Sequence, residues 1–185
     1  CSPTAFHTED LKEFLKAGIP SIYLEKPVSH SLAEIPTLFE LMRPETKIVV
    51  GFDLHFDPGL AKVKELVDSG LLGKLYSANA FVGQYLPDWR PYEDHRKGMS
   101  ASKEKGGGVM LDLVHEFDYL RWLLGKPRKI VCFYQTNPQL EIETEDLADV
   151  LGQFENGING SIHLDYHQRK LIRYCIITAE KGSIK

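Results

Sequence analysis

Apolar and polar positions follow one grammar up to about residue 52 of this chain and another after it. Thr8 stands as a cap before a helical repeat over residues 9–17, with Glu9 and Asp10 where helix N–H groups favour acids and Gly18 just past the end. "SIYLE" (21–25) predicts a short strand stopped by Pro27. Ser31 and Glu34 have capping-box spacing, which predicts a helix to about Met42, although Pro36 fits poorly inside it and points to a later or kinked start. "KIVVGF" (47–52) is a continuous apolar run of the kind shown by a strand covered on both faces. Strand, helix and strand in that order predict a βαβ unit and a parallel sheet.

Past residue 52 the pattern changes. Asp57 and Pro58 open a further helix that Gly70 closes. "KLYSANAFVG" (74–83) reads as a strand and runs into a long polar, aromatic-rich loop ending near Lys105. A helix over 109–124 follows, with Met110, Leu113, Val114, Phe117, Leu120 and Leu124 forming its core-facing stripe. Strands are then predicted near 129–135, 147–154, 159–166 and 171–179, with Asn156-Gly157 as a hairpin turn. Strands that meander after a helix predict an antiparallel sheet with helices on one face. The expected fold is therefore α/β plus α+β. Residues 1–52 form the C-terminal part of a Rossmann-like parallel sheet, and residues 53–185 a mostly antiparallel open sheet with helices on one face.

Composition narrows the partners. The 185 residues are 43% hydrophobic and 26% charged, with a formal charge of −4 and the two signs interspersed. That is the balance of a globular protein and not of a nucleic-acid-binding surface, which carries a basic patch. No apolar run approaches the roughly 20 residues that cross a bilayer, so neither nucleic acid nor membrane is expected as a partner. Cys1, Cys132 and Cys175 are odd in number and widely spaced, which predicts reduced thiols and a cytoplasmic location. The chain begins without methionine, as if at the end of a strand, and is expected to be a piece of a longer protein.

Several groups could carry chemistry. Asp112 and His115 stand three residues apart in the predicted 109–124 helix, and Asp118 three further on, so the Asp112 carboxylate could reach the imidazole. A carboxylate beside a histidine orients the ring and can help it take a proton from an alcohol and return it. The same spacing also suits a solvated helix face with an incidental contact. Gly106–Gly108 would let backbone approach a ligand, or form a hinge; the triplet lacks the spacing of a dinucleotide or phosphate loop. Lys26, at the end of a predicted parallel strand, lies where doubly wound sheets take ligands, and its charge would favour an alkoxide. The loop over 84–105 mixes Tyr85, Trp89 and Tyr92 with Arg90, His95 and Arg96, a set suited to a polyhydroxylated or anionic small ligand. His163 and His167 have no third ligand nearby in sequence, and no metal is expected, a divalent ion on Asp112 and His115 being a minor alternative.

"SPTAFH", "EKPVSHSLAE", "VVGFDLHFDPGLAKVKELVDSGLLGKLYSA", "DWRP" and "GGGVMLDLVHEFDYLRWLLG" together, in this order, resemble the glucose-fructose oxidoreductase, inositol dehydrogenase and rhizopine-catabolism family (Gfo/Idh/MocA) over almost the whole chain. The resemblance implies hydride transfer between a sugar-like or cyclitol secondary alcohol and NAD or NADP, by a homo-oligomer associating through its open sheet. It assigns catalysis to Lys26, Asp112 and His115, with His115 as general acid/base. Ser2, Pro3, His7, Glu25, Lys26, Trp89 and Arg90 would lie near the nicotinamide half of the cofactor, and Asp53, Tyr85 and Arg96 would meet substrate. The chain departs from the family pattern in three ways: Asp112 and His115 are one residue closer than usual, His55 replaces a frequent arginine, and no G-x-G-x-x-G occurs in these residues. A non-catalytic binding or assembly module and a metal-assisted isomerase or hydrolase are the alternative functions.

Overall fold

A computed structural model describes residues 2–185 as two sheets with helices packed on them. Cys1 lies outside the described residues. The first sheet pairs β1 (Ser21–Leu24) with β2 (Lys47–Val50) in parallel, Ser21 opposite Lys47 and Leu24 opposite Val50. Helices α1 (His7–Lys16) and α2 (Ile35–Leu41) bury Leu11, Leu15 and Leu38 against Ile22 and Leu24. Only one face is covered by this chain: Tyr23 and Val49, which alternate with the buried positions, are 67% and 55% exposed. The expectation of a strand covered on both faces is corrected accordingly. The apolar run in β2 reflects strand propensity as well as burial.

Two helix starts also differ from the pattern. A 3₁₀ turn over Thr4–Phe6 runs straight into α1, so Thr8 lies inside the first turn and does not cap it. Its buried hydroxyl instead donates to Glu34 (2.6 Å), joining α1 to the segment before α2. That carboxylate, which also pairs with Lys12 at 2.9 Å, is thereby drawn out of the capping box predicted with Ser31. Helix α2 starts at Ile35, which puts Pro36 in its first turn, where a missing N–H costs nothing.

After a 3₁₀ turn (Asp53–Phe56), Asp57 caps α3 (Pro58–Asp68) by accepting from the Leu60 N–H at 2.9 Å. The second sheet contains β3 (Leu75–Gly83), β4 (Pro127–Gln135), β5 (Leu147–Phe154), β6 (Asn159–Asp165), β7 (Ile172–Ala179) and β8 (Gly182–Ile184) in the order β4-β5-β6-β3-β7-β8. Every pairing is antiparallel except β3 with β6, where Ser77 faces Asn159 and Gly83 faces Asp165. The sheet is thus mixed at its centre. Its inner face carries small residues on the central strand, Ala78 and Ala80 with Val82. These let the helical layer settle close, with Val109, Tyr119, Leu120, Leu123 and Leu124 buried against Ala148, Ile162, Leu164 and Ile177. The outer face leaves Val131, Phe133 and Leu151 more than half exposed, beside a stack of His163, Phe81 and Tyr174.

A short α4 (Leu86–Trp89) follows β3. The helix expected over 109–124 is two helices, α5 (Val109–Asp112) and α6 (His115–Leu124), separated by Leu113 at φ −101°, ψ 34°. A side-chain donor stands at the break. The Lys26 ammonium takes the Asp112 carbonyl at 2.7 Å, the acceptor that a continuous helix would offer to residue 116.

The three glycines before α5 are buried among protein atoms. A Cβ on Gly106 would meet Thr4 and His30 at 3.0 Å, one on Gly107 would collide with the Met99 and Ser100 carbonyls, and one on Gly108 with the Glu145 carboxylate. Their N–H groups donate to Lys103, Ser102 and Ser100 carbonyls. The triplet is neither a hinge nor a free N–H cradle; it lets the loop lie flat between the two layers. Gly107→Ala should therefore lower unfolding free energy by about 1–3 kcal/mol, through backbone that cannot yield. Gly157→Ala, at a hairpin turn with open space around its Cβ position, is strained by its φ of +82° alone and should lose about 1–2 kcal/mol. Urea denaturation of both variants checks the ordering.

Candidate functional site

The site forms where the tip of β1 meets the α5–α6 break. Lys26 follows β1 directly, and His7 holds this segment from below: its Nδ1 lies 2.7 Å from the Pro27 carbonyl and its Nε2 3.1 Å from that of Ser2. With both ring nitrogens facing main-chain oxygens, His7 braces the strand tip; of the residues assigned to the cofactor side it is the one already engaged at both ends. The Ser2 hydroxyl donates to Asp10. Pro3 precedes the 3₁₀ turn, and Glu25 is exposed, accepting from the Lys26 N–H at 3.2 Å.

Asp112 is 9% exposed, and its Oδ2 accepts from the Tyr166 hydroxyl at 2.6 Å. Burial first, and then the neighbouring carboxylate, keep the Tyr166 phenol protonated to well above its ordinary pKa. Tyr166 also meets Trp89 edge to face, with ring centres 5.4 Å apart, and the Trp89 Nε1 is buried without a hydrogen-bond partner. Asp112 therefore belongs to Tyr166 through its carboxylate and to Lys26 through its carbonyl. The expected Asp112–His115 contact does not form, because the backbone turns at Leu113 between them.

His115 opens α6 instead. Phe52 packs edge-on against its ring at 5.9 Å, its Nδ1 is buried without a partner, and its Nε2 lies 3.5 Å from the Asp53 carboxylate. Burial lowers its pKa below the ordinary histidine value of 6.5, helped by the Lys26 and Arg173 charges and opposed by Asp53 and Asp118. The ring is thus a neutral base near pH 7. The Arg173 charge acts on it from β7, the guanidinium being held by the fully buried Glu116 with contacts of 2.7 and 3.1 Å. Sequence reasoning missed Tyr166, Glu116 and Arg173. Local pattern placed Glu116 in a helix and Tyr166 and Arg173 in predicted strands but gave no sign of partners more than fifty positions away.

The loop residues divide. The Arg169 guanidinium stacks 3.7 Å above the Tyr85 ring, making a cationic, aromatic wall. Arg90 is exposed, 3.9 Å from Glu93. Arg96 is paired with Asp94 and Glu141, each at 2.8 Å, and holds the Asp94 carboxyl down to about 2. Its guanidinium braces the loop. His163 sits between Asp149 and Asp165, and His167 lies 3.3 Å from Asp146, so each histidine has its own carboxylates. Among the described residues no group of three or more suitable side chains could hold a metal ion, and no helix is long and apolar enough to cross a membrane.

A short parallel sheet with a charged strand tip is thus joined to an open mixed sheet whose helix break lies at that tip. The chain belongs to the GFO/IDH/MocA family, and its residues 60–185 match the family's C-terminal domain. It is 34% identical over 135 residues to an uncharacterized oxidoreductase of Synechocystis, covering 71% of this chain and 35% of that protein. It is 28% identical over 128 residues to the inositol 2-dehydrogenase of Rhizobium meliloti, covering 68% and 36%. The chain thus spans well under half of these curated relatives. Among solved structures it superposes on levoglucosan dehydrogenase in complex with NADH and levoglucosan with a TM-score of 0.85 at 22% identity, covering 100% of this chain and 52% of that one. It also superposes on an inositol dehydrogenase homolog from Azotobacter vinelandii complexed with NAD+, with a TM-score of 0.86 at 17% identity over 99% and 49%. At these identities the likeness is one of fold.

Tyr166→Phe removes the one donor to a buried carboxylate oxygen. It should lower stability by about 1–3 kcal/mol at neutral pH, read from the urea midpoint; a midpoint equal to the parent's would remove Tyr166 from this role.

Proposed function

We propose that the protein containing this chain is an NAD(P)-dependent oxidoreductase acting on a secondary alcohol of a sugar-like or cyclitol substrate. In this reading residues 1–52 close a Rossmann-like dinucleotide-binding domain, and residues 53–185 form the substrate and oligomerisation domain. The observation that carries the proposal is the convergence, at one strand tip, of an ammonium and an imidazole whose basicity that ammonium tunes. The names of the relatives support it, several being inositol, xylose and levoglucosan dehydrogenases.

The donor set at the strand tip fits the nicotinamide half of such a cofactor. Ser2, Pro3, Glu25 and Lys26 flank the carboxyl end of β1, where open α/β sheets take ligands. Trp89 offers a buried N–H that has no partner among the described residues, and Arg90 lies beside it. When bound, the nicotinamide would take or supply the hydride. Lys26, steadied by the Asp112 carbonyl, favours negative charge on the reacting oxygen. His115 takes the alcohol proton during oxidation and returns it during reduction, and burial keeps it neutral for the first of these tasks. Tyr85 and Arg169 offer a wall for ring hydroxyls. The exposed outer face around Val131, Phe133 and Leu151 supports association of like subunits, and reduced Cys132 and Cys175 accord with a cytoplasmic setting.

The test is the full-length protein assayed with NAD+ and NADP+ against a panel of cyclitols and aldoses, following the absorbance of reduced nicotinamide. Activity is expected with at least one pair, and its absence across the panel with bound cofactor would favour a non-catalytic binding module. Lys26→Ala and His115→Ala should each lower turnover by about 10²–10⁴-fold, His115→Ala with little change in thermal midpoint and Lys26→Ala with a lower one, because it also removes the bond to the Asp112 carbonyl. In the oxidation direction kcat/KM should fall as pH drops through the His115 ionisation, below the ordinary 6.5, because the protonated ring accepts nothing. Parent rates in both variants would overturn the roles.

A further inference from the structure

We propose that Asp53, and not Asp112, is the carboxylate that governs His115 and passes its proton to solvent. The proposal rests on the function given above and adds to it a positioning and relay residue that contacts the base.

The helix break turns Asp112 toward other partners. Its Oδ2 accepts from Tyr166 and its carbonyl from Lys26. No hydrogen bond joins Asp112 to His115 among the described residues, and the buried Nδ1 of His115 has none. The other ring nitrogen, Nε2, faces Asp53 Oδ1 at 3.5 Å, a short side-chain rotation from hydrogen-bond contact. Asp53 is 76% exposed, so one edge of its carboxylate meets water while the other meets the ring.

The 3₁₀ turn that carries Asp53 is fastened to the helix that carries His115. His55 Nε2 lies 2.6 Å from Asp118 Oδ2, and the His55 ring stacks on Trp122 at 4.3 Å and 12°. Asp118 and Trp122 lie three and seven residues beyond His115, on the same face of α6. Clamping that turn to that face fixes the carboxylate beside the imidazole.

The charges around the ring leave Asp53 this task. Lys26, after β1, and Arg173, on β7, both oppose an imidazolium, and Arg173 is itself paired with Glu116. Asp118 on α6 is engaged by His55. Among the described residues Asp53 has His115 as its one ion-pair partner within 4 Å. In alcohol oxidation the substrate O–H bond breaks and an N–H bond forms at Nε2. That N–H bond then breaks as an O–H bond forms on Asp53, and the carboxyl group loses the proton to water. Imidazole and carboxylate end as they began, and neither changes oxidation state.

The experiment is an NMR titration of the histidine imidazoles in the protein without substrate or cofactor, comparing the parent with Asp53→Asn and Asp112→Asn and assigning His115 by its loss in His115→Ala. Removing the Asp53 charge should lower the His115 midpoint by about half a pH unit or more, allowing for solvent screening at an exposed carboxylate. Asp112→Asn should move it less. The acid limb of the kcat/KM profile for oxidation should shift to lower pH in Asp53→Asn by the same amount. A His115 midpoint unchanged in Asp53→Asn, or a larger shift in Asp112→Asn, would overturn the proposal. Asp53 is exposed, so its variant tests the idea even if the buried Asp112→Asn does not fold. The titration needs no turnover, so it reads the coupling of Asp53 to His115 whether or not the dehydrogenase assay succeeds.

Discussion

The hydrogen bond from the Lys26 ammonium to the Asp112 carbonyl, 2.7 Å long, fixes the arrangement of everything around it. A charged donor outcompetes a backbone N–H for a carbonyl, because charge-assisted bonds are roughly twice as strong as neutral ones. With Lys26 on that acceptor, the chain turns at Leu113, between the two helices. Asp112 ends one helix, His115 begins another, and the two side chains leave on different bearings. His115 thereby gains a place at the positive end of α6, which disfavours its protonation in the same direction as burial and Lys26 do. One contact thus ties the strand tip to the helix break and adds its charge to the burial that disfavours an imidazolium.

That contact is held by the packing beneath it. The glycine triplet brings the loop before α5 against Thr4, Ala5 and His30, and Ala5 N–H donates to the Lys105 carbonyl at 3.2 Å. His7 braces the Pro27 and Ser2 carbonyls from the other side. Both layers are therefore anchored within a few residues of Lys26, so its ammonium meets a prepared acceptor and loses little conformational freedom in reaching it. The value of Gly106, Gly107 and Gly108 lies in the volume they leave to neighbouring main chain.

Local pattern carried the strands of this fold well. Those of the second sheet were legible because their alternation has a period of two and their turns announce themselves, as Gly157 does at φ +82°. What periodicity does not encode is which strands pair. The parallel match of β3 with β6 joins segments about eighty residues apart, and an alternating strand reads the same whichever neighbour it has. The helix break was hidden for a like reason, its donor lying 86 positions upstream. The site was legible as residue types. Lys26 and His115 could be named from where they fall in strand and helix, whereas the partners of each side chain depend on tertiary geometry. Thr8 illustrates the same limit: its spacing fits a cap, and the proximity of Glu34 decides otherwise.

Two departures from the family's usual sequence meet in the same few ångströms. Shortening the Asp112–His115 spacing by one residue would leave the histidine without a carboxylate if nothing else changed. The second departure supplies one. His55 is a flat ring that can stack on Trp122 and pair with Asp118 at once, where an arginine would reach farther from the turn. A short, doubly held side chain draws the turn over Asp53–Phe56 onto α6 and sets Asp53 opposite Nε2. The carboxylate that faces the histidine thus comes from a neighbouring turn and not from its own helical segment. Because Asp53 is 76% exposed while Asp112 is 9% exposed, a carboxylate from that turn places a proton acceptor between the buried base and water.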